Sequence, residues 1–128
     1  MTTRPAWAEM HQAAENLLDI LKCLFLALRA RDDALGQQIY SKLPGAVLEF
    51  HLVAPPMEKA LWENFDMISD EEKMAGAYLA LIIDGAQEAL LFLSGFGGSH
   101  TDFNQWYANL QEVVARSAAL TQKETESN

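Results

Sequence analysis

An all-α fold, a compact bundle of about five helices, is the architecture this 128-residue sequence predicts. Three observations carry the expectation. Apolar residues recur at steps of three and four over most of the chain, capping and turn residues separate those runs, and only one segment alternates as a strand would. A lone strand would leave its ladder hydrogen bonds unpaired, so helix is favoured there too.

The first helix is the clearest element. Trp7, Met10, Ala14, Leu17, Leu21, Leu24 and Leu28 fall on one stripe, with Leu18, Phe25 and Leu26 widening it and Glu9, Gln12, Glu15, Asp19 and Lys22 on the wet side. Pro5 suits its first turn. Asp32 and Asp33 offer caps for a second helix carrying Leu35, Ile39 and Leu43, which Pro44 and Gly45 end. The segment 46–53 is the ambiguous one: Val47, Phe50 and Leu52 fit a short helix, whereas Leu48, Phe50 and Leu52 alternate. Pro55 and Pro56 are expected to break the chain and start a further helix with Met57, Ala60, Leu61, Asn64, Phe65 and Ile68 on one face, ending near Ile68.

Ser69-Asp70-Glu71-Glu72 has the form of a capping box, in which serine and glutamate satisfy each other's backbone amides at a helix start. The helix it opens, about 70–94, is so apolar around its circumference that a central position is expected. Its small residues, Gly76, Gly85 and several alanines, would let neighbours approach closely. Gly95-Phe96-Gly97-Gly98 stops it, Ser99 or Thr101 caps the last helix, and Phe103, Trp106, Tyr107, Leu110, Val113, Val114 and Ser117 form that helix's inner face. One helical domain over 1–120 and a polar, frayed tail over 121–128 complete the expected organisation.

Charge narrows the functional classes. A net charge of −9 repels phosphate backbones and anionic headgroups, so neither nucleic acid nor membrane is an expected partner. The uninterrupted apolar stretches around Leu24–Leu28 and Ala89–Leu93 are shorter than a bilayer requires, no secretory pattern opens the sequence, and the single cysteine, Cys23, reads as a buried small hydrophobe. A cytoplasmic location is the expectation. The asymmetry is marked: residues 1–64 carry six basic and eight acidic side chains, residues 65–128 three and ten.

Reactive constellations are sparse. Asp84 and Glu88 stand one turn apart, as do Glu15 and Asp19, and His11 precedes Glu15 by four, but the Glu-x-x-His pair of di-metal bundles is missing and only His11, His51 and His100 could supply imidazole. No cofactor or metal is expected. Cys23 and His11 lie about 18 Å apart along one helix, too far for a dyad. The glycine-rich run before His100 lacks the strand and lysine of a phosphate loop.

Recognition of another protein is the reading that remains. Glu58, Glu63, Asp66, Asp70, Glu71 and Glu72, against Lys59 and Lys73, gather negative charge around one helix–helix turn, and Trp62 adds an aromatic on an outer position. The chain resembles, at class level, small acidic helical proteins such as immunity proteins, antitoxins and inhibitors that block basic clefts, and some secretion chaperones. Two other readings stand beside a non-enzymatic binding module with a basic protein partner. One is a small enzyme or ligand-binding protein with Asp84, Glu88 and His100 around a pocket; the other is a homodimeric structural subunit.

Overall fold

The computed structural model describes the backbone of residues 6–97 and 99–126, and about 85% of the described residues are helical, with no strand among them. The elements are α1 (Trp7–Arg29), α2 (Asp33–Tyr40), α3 (Leu43–Glu63), α4 (Asp70–Leu93) and α5 (His100–Glu126). Pro5 and Gly98 lie outside the described residues.

Four long helices form a ring in which α1 packs on α3, α3 on α4, α4 on α5 and α5 on α1. Landmarks along the helices give the directions. His11 meets Ser117 and Phe25 meets Phe103, so α1 and α5 run antiparallel; Phe92 on Phe103 and Lys123 beside Glu71 give the same relation for α4 and α5. Leu61 reaches Gly76 while Leu43 and Leu90 share a groove at the other end, so α3 and α4 are antiparallel too. The result is an up-down-up-down bundle with short connections. The short α2 crosses one end and packs on α1, with only Gly36 buried.

The core follows the predicted stripes closely on α1 and α5. Trp7, Met10, Ala14, Leu17, Leu21 and Leu24 are all buried, as are Phe103, Trp106, Leu110, Val113 and Ser117. Leu28 departs from its stripe and is exposed, because α1 ends one residue later at Arg29.

The segment 46–53 is helical, as favoured, but three other expectations need correction. Pro55 and Pro56 do not break the chain: both lie inside a continuous α3. Tandem prolines remove the amides that would bond the carbonyls of His51 and Leu52, and Leu52 is exposed, so water can serve its carbonyl. Leu43, assigned by spacing to the second helix, instead opens α3 with Pro44 in the first turn, where a missing amide costs nothing. At its other end α3 stops at Glu63, with Asn64 as cap, leaving Phe65 outside the helix. The last helix, α5, is described to Glu126 and so includes part of the segment 121–128 expected as a polar tail.

The position of α4 is the largest departure. The sequence places it at the centre, yet α1 is the helix with three packed neighbours, and α4 lies mainly between α3 and α5. Its buried residues are Glu72, Ala75, Leu79, Ile82, Ala86 and Ala89, while Met74, Leu81 and Leu91 stay exposed. More of its circumference is apolar than two neighbours can cover. As a whole helix α4 is even long and apolar enough to cross a membrane by length and composition, although each uninterrupted apolar run in it is short.

Two helix ends use the same device. After α4, Gly95 takes φ 79°, its amide donates to the Phe92 carbonyl at 3.1 Å, and the Phe96 amide donates to Leu91 at 2.9 Å. After α1, Arg31 occupies the equivalent position at φ 57°, with its amide on Leu28 at 3.1 Å and the Asp32 amide on Ala27 at 3.0 Å. A side chain with a Cβ is strained there. Arg31→Gly is therefore expected to raise stability by about 0.5–1 kcal/mol, measured by urea unfolding; a loss would show that the arginine side chain contributes more than its backbone strain costs.

Close approach of α5 to α4 depends on Gly85. Trp106 lays its indole along the α4 backbone and donates Nε1–H to the Ile82 carbonyl at 3.0 Å, and a Cβ on Gly85 would stand 2.9 Å from Trp106 Cδ1. A Cβ on Gly76 would meet only the methyl end of Leu61, also at 2.9 Å. Alanine gains about 1 kcal/mol of helix propensity at either site, but a pinned indole cannot yield as a leucine terminus can, and overpacking costs about 1–3 kcal/mol. Gly85→Ala should be less stable than Gly76→Ala by about 1–2 kcal/mol in parallel unfolding curves, and equal stability would mean the indole is free to shift.

Candidate functional site

The acidic edge predicted at 58–72 is built by the end of α3, the turn 64–69 and the start of α4. Asn64 organises that turn: its side-chain Nδ2 donates to the Ala60 carbonyl at 2.7 Å, while its backbone carbonyl accepts from the amides of Met67 at 2.8 Å and Ile68 at 3.1 Å. Ile68 is thereby turned inward, and Phe65 and Met67 are turned out, at 44% and 82% exposure.

Between the two helices runs a groove of about 160 Å³ with an apolar lining. From α3 and the turn come Leu61, Trp62, Phe65 and Ile68; from α4 come Gly76, Ala77 and Ala80, a floor with almost no side-chain height. Trp62 and Phe65 stack with ring centroids 5.6 Å apart and planes 17° from parallel. The Lys73 ammonium stands 4.6 Å from the Phe65 centroid, within cation–π range. Trp62 remains 67% exposed, unlike the buried Trp7 and Trp106. The sequence pointed to Trp62 alone and assigned Phe65 to a buried helical face; the early end of α3 is what brings Phe65 to the surface beside it.

Electrostatics around the groove are one-sided. Lys59 pairs with Glu63 at 3.9 Å, a solvent-exposed contact of small energetic consequence, and Lys73 is engaged with Phe65. Glu58, Asp66 and Asp70 have no ion pair among the described residues. Glu71 lies 3.8 Å from Lys123 of α5, and its carboxyl is held below the usual carboxylate range, first by its own backbone amide, then by that ammonium and by Ser69. What stability this lends is present above the ordinary carboxylate range and is lost as pH falls through the lowered value.

Glu72 does not belong to the accessible surface, contrary to expectation. It is 7% exposed; its Oε1 accepts from the Ser69 amide at 3.2 Å and the Ser69 hydroxyl at 3.3 Å, and its Oε2 accepts from the buried Trp7 indole at 2.9 Å. With the Glu72 amide donating to Ser69 Oγ at 3.2 Å, the predicted capping box is complete, but its glutamate also pins the start of α4 to the start of α1. Spacing revealed the cap and gave no sign of a tryptophan sixty-five positions away.

The alternative pocket is not assembled. Asp84 and Glu88 are both exposed on α4. Glu88 lines a small cleft with Gly85, Asp102 and Trp106, whereas Asp84 does not, and the His100 ring packs edge-on to Phe92 with centroids 5.2 Å apart. Two more open grooves, of about 410 and 430 Å³, flank Tyr40 near α2, and neither includes those three residues. Tyr40 lines both, and its Oη is bonded at 3.1 Å to Oγ of Ser94, which lines the second. Cys23, expected inside, is exposed on α1.

One polar cluster was only half legible in the sequence: His11 and Glu15 stand one turn apart, but their third member, Ser117, is far away in the chain. His11 Nδ1 stands 3.0 Å from Ser117 Oγ, and His11 Nε2 stands 2.7 Å from Glu15 Oε2. The connectivity is that of a serine–histidine–carboxylate relay. Ser117 is 0% exposed, however, and its hydroxyl donates to the Val114 carbonyl at 3.1 Å, so no substrate carbonyl can approach Oγ. The cluster joins α1 to α5 and lines none of the grooves described above.

Removing the Glu72 side chain tests the pin. Glu72→Ala deletes a cap worth about 0.5–2 kcal/mol and strips a buried indole N–H of its carboxylate acceptor, a further cost of about 1–3 kcal/mol, so a loss of about 2–4 kcal/mol is expected in chemical denaturation. Glu72→Gln retains an acceptor oxygen and should lose less; equal losses would assign the effect to charge rather than to these hydrogen bonds.

No family model matches the chain, and comparison with curated proteins and with solved structures found no match.

Proposed function

We propose that this chain is a non-catalytic protein-recognition module, of the immunity-protein, antitoxin or inhibitor kind, whose contact surface is the α3–α4 edge and whose partner presents a basic face. One observation carries the reading: an exposed tryptophan, stacked on a second aromatic, stands at an apolar groove lined also by Glu58, and the carboxylates Glu58, Asp66 and Asp70 of the same helix–turn–helix segment are without ion-pair partners among the described residues. Aromatic anchors at the centre of a contact and charges at its rim are the usual division of labour at protein interfaces, the first giving affinity and the second orientation and association rate. A second reading, self-association, is favoured by the exposed leucines Leu48 and Leu52 on the outer side of α3.

Affinity capture from the native cell extract, with wild-type chain and with Trp62→Ala and Glu58→Lys/Asp66→Lys variants as bait, tests the proposal. Asp70 and Glu71 are left intact because they support the start of α4. A partner retained by wild type should bind Trp62→Ala at least about tenfold more weakly, as for a hot-spot aromatic, and should be released from wild type by salt. The charge-reversed protein should keep its helical circular dichroism and lose the partner. Identical retention by all baits would sink the reading, and a mass that rises with concentration in light scattering would favour self-association instead.

A further inference from the structure

We propose that the α3–α4 groove receives an amphipathic helix of the partner, laid along the groove with its apolar side on the small-residue floor and an arginine over the open face of Trp62. This rests on the recognition reading above and names the element recognised. Both walls have the length and spacing of a helix contact. On α4, Lys73, Gly76, Ala77 and Ala80 occupy positions i, i+3, i+4 and i+7, and on the other side Glu58, Leu61 and Trp62 occupy i, i+3 and i+4 of α3, with Phe65 joining them from the turn just past the helix end. Seven residues rise about 10 Å, two turns, which matches two turns of an incoming helix and its ridge of i, i+3, i+4 side chains. The groove is smaller than the roughly 300–1,000 Å³ of a small-molecule pocket, and Ala77 and Ala80 on its floor let a second backbone come close.

Charge complementarity identifies the occupant as cationic. Glu58 and Asp66 stand four residues to either side of Trp62 in sequence, and no ion pair among the described residues engages either carboxylate. The edge already holds one cation on an aromatic face, Lys73 on Phe65, whereas Trp62, the stronger cation–π acceptor, keeps most of its surface open. An arginine stacks on an indole and bonds carboxylates with the same planar group, which lysine cannot do. A second copy of this chain is a poor occupant, since it would bring its own net charge of −9 against the same acidic rim. An anionic lipid surface meets the same repulsion.

The probes are synthetic peptides: a helix-forming peptide with leucines at i, i+3, i+4 and i+7 and flanking arginines, its Arg→Lys and Arg→Glu versions, and a version of the arginine peptide with a central proline. Calorimetry gives affinity, and indole emission gives contact, because Trp62 is the exposed tryptophan and Trp7 and Trp106 are buried. The arginine peptide should shift emission to the blue; Trp62→Phe should abolish the shift, and Trp62→Ala should weaken binding at least tenfold. Lysine should bind several-fold more weakly, the proline version at least tenfold more weakly, and the glutamate version not at all. Equal binding of helical and proline peptides, binding that leaves the emission unmoved, or no binding of the arginine peptide overturns the helix proposal. A partner captured in a Trp62-dependent manner would still support the recognition reading in each of those cases, so the two fail separately. A blue shift with phosphatidylcholine vesicles, with or without phosphatidylserine, or a concentration-dependent mass without peptide, would replace the partner helix by lipid or by a second copy and overturn the proposal as well.

Discussion

The carboxylate of Glu72 is where local and long-range order meet in this bundle. One oxygen closes the capping box that starts α4, and the other accepts from Trp7 in the first turn of α1. In the ring of four helices α1 and α4 stand on a diagonal, so this hydrogen bond ties together two elements that otherwise meet through α3 and α5. A buried carboxylate is tolerable only with its lone pairs occupied, and here three donors occupy them. The same residue forms part of the wall of the α3–α4 groove, which means that the groove is shaped by a fixed part of the scaffold rather than by a free loop.

Periodicity revealed what is decided within one helix. The stripes on α1 and α5, the Ser69 cap, the Asp32 cap and the glycine stop at Gly95 were legible because each depends on neighbours within a turn or two. Features decided by a distant partner were not. The prolines at 55 and 56 signal a break by local rules, but packing of Phe50, Ala54, Met57 and Leu61 along one face keeps α3 continuous across them. The apolar circumference of α4 suggests a central helix only if every apolar face must be covered by the same chain, and this one is not. Of the proposed contact surface, Trp62 and the acids Glu58, Glu63, Asp66, Asp70 and Glu71 could be read from composition along the chain, whereas the buried role of Glu72 and the arrival of Phe65 could not.

The uneven wetting of the bundle says where association would be favourable. On α5 the described residues include no large exposed hydrophobic side chain, and its outer positions carry Asn104, Gln105, Gln111, Glu112 and Gln122. On α3, α4 and the turn between them Leu48, Leu52, Trp62, Phe65, Met67, Met74, Leu81 and Leu91 are exposed. Leu26, Leu28, Leu35, Tyr40 and Phe96 are exposed elsewhere, but more than half of the exposed large hydrophobic side chains among the described residues lie on these two helices and their turn. Residues 43–93 also carry nine acidic side chains against two basic ones, so these exposed apolar residues lie on the most negative segment of the chain.

These two properties act on a partner at different distances. The carboxylates act over about 10 Å in physiological salt, drawing in cationic surfaces and turning away anionic ones, and they do so without fixing a position. The stacked pair Trp62 and Phe65 and the low floor at Gly76, Ala77 and Ala80 act only at contact, where burial of an aromatic face and close backbone approach reward one geometry over others. Repulsion between like rims disfavours self-pairing on this face, and its apolar centre disfavours partners that are merely basic. On the proposed reading, a surface that is negative at long range and greasy at short range would favour one class of occupant: a cationic element with an apolar side of its own, ordered enough to present both at once.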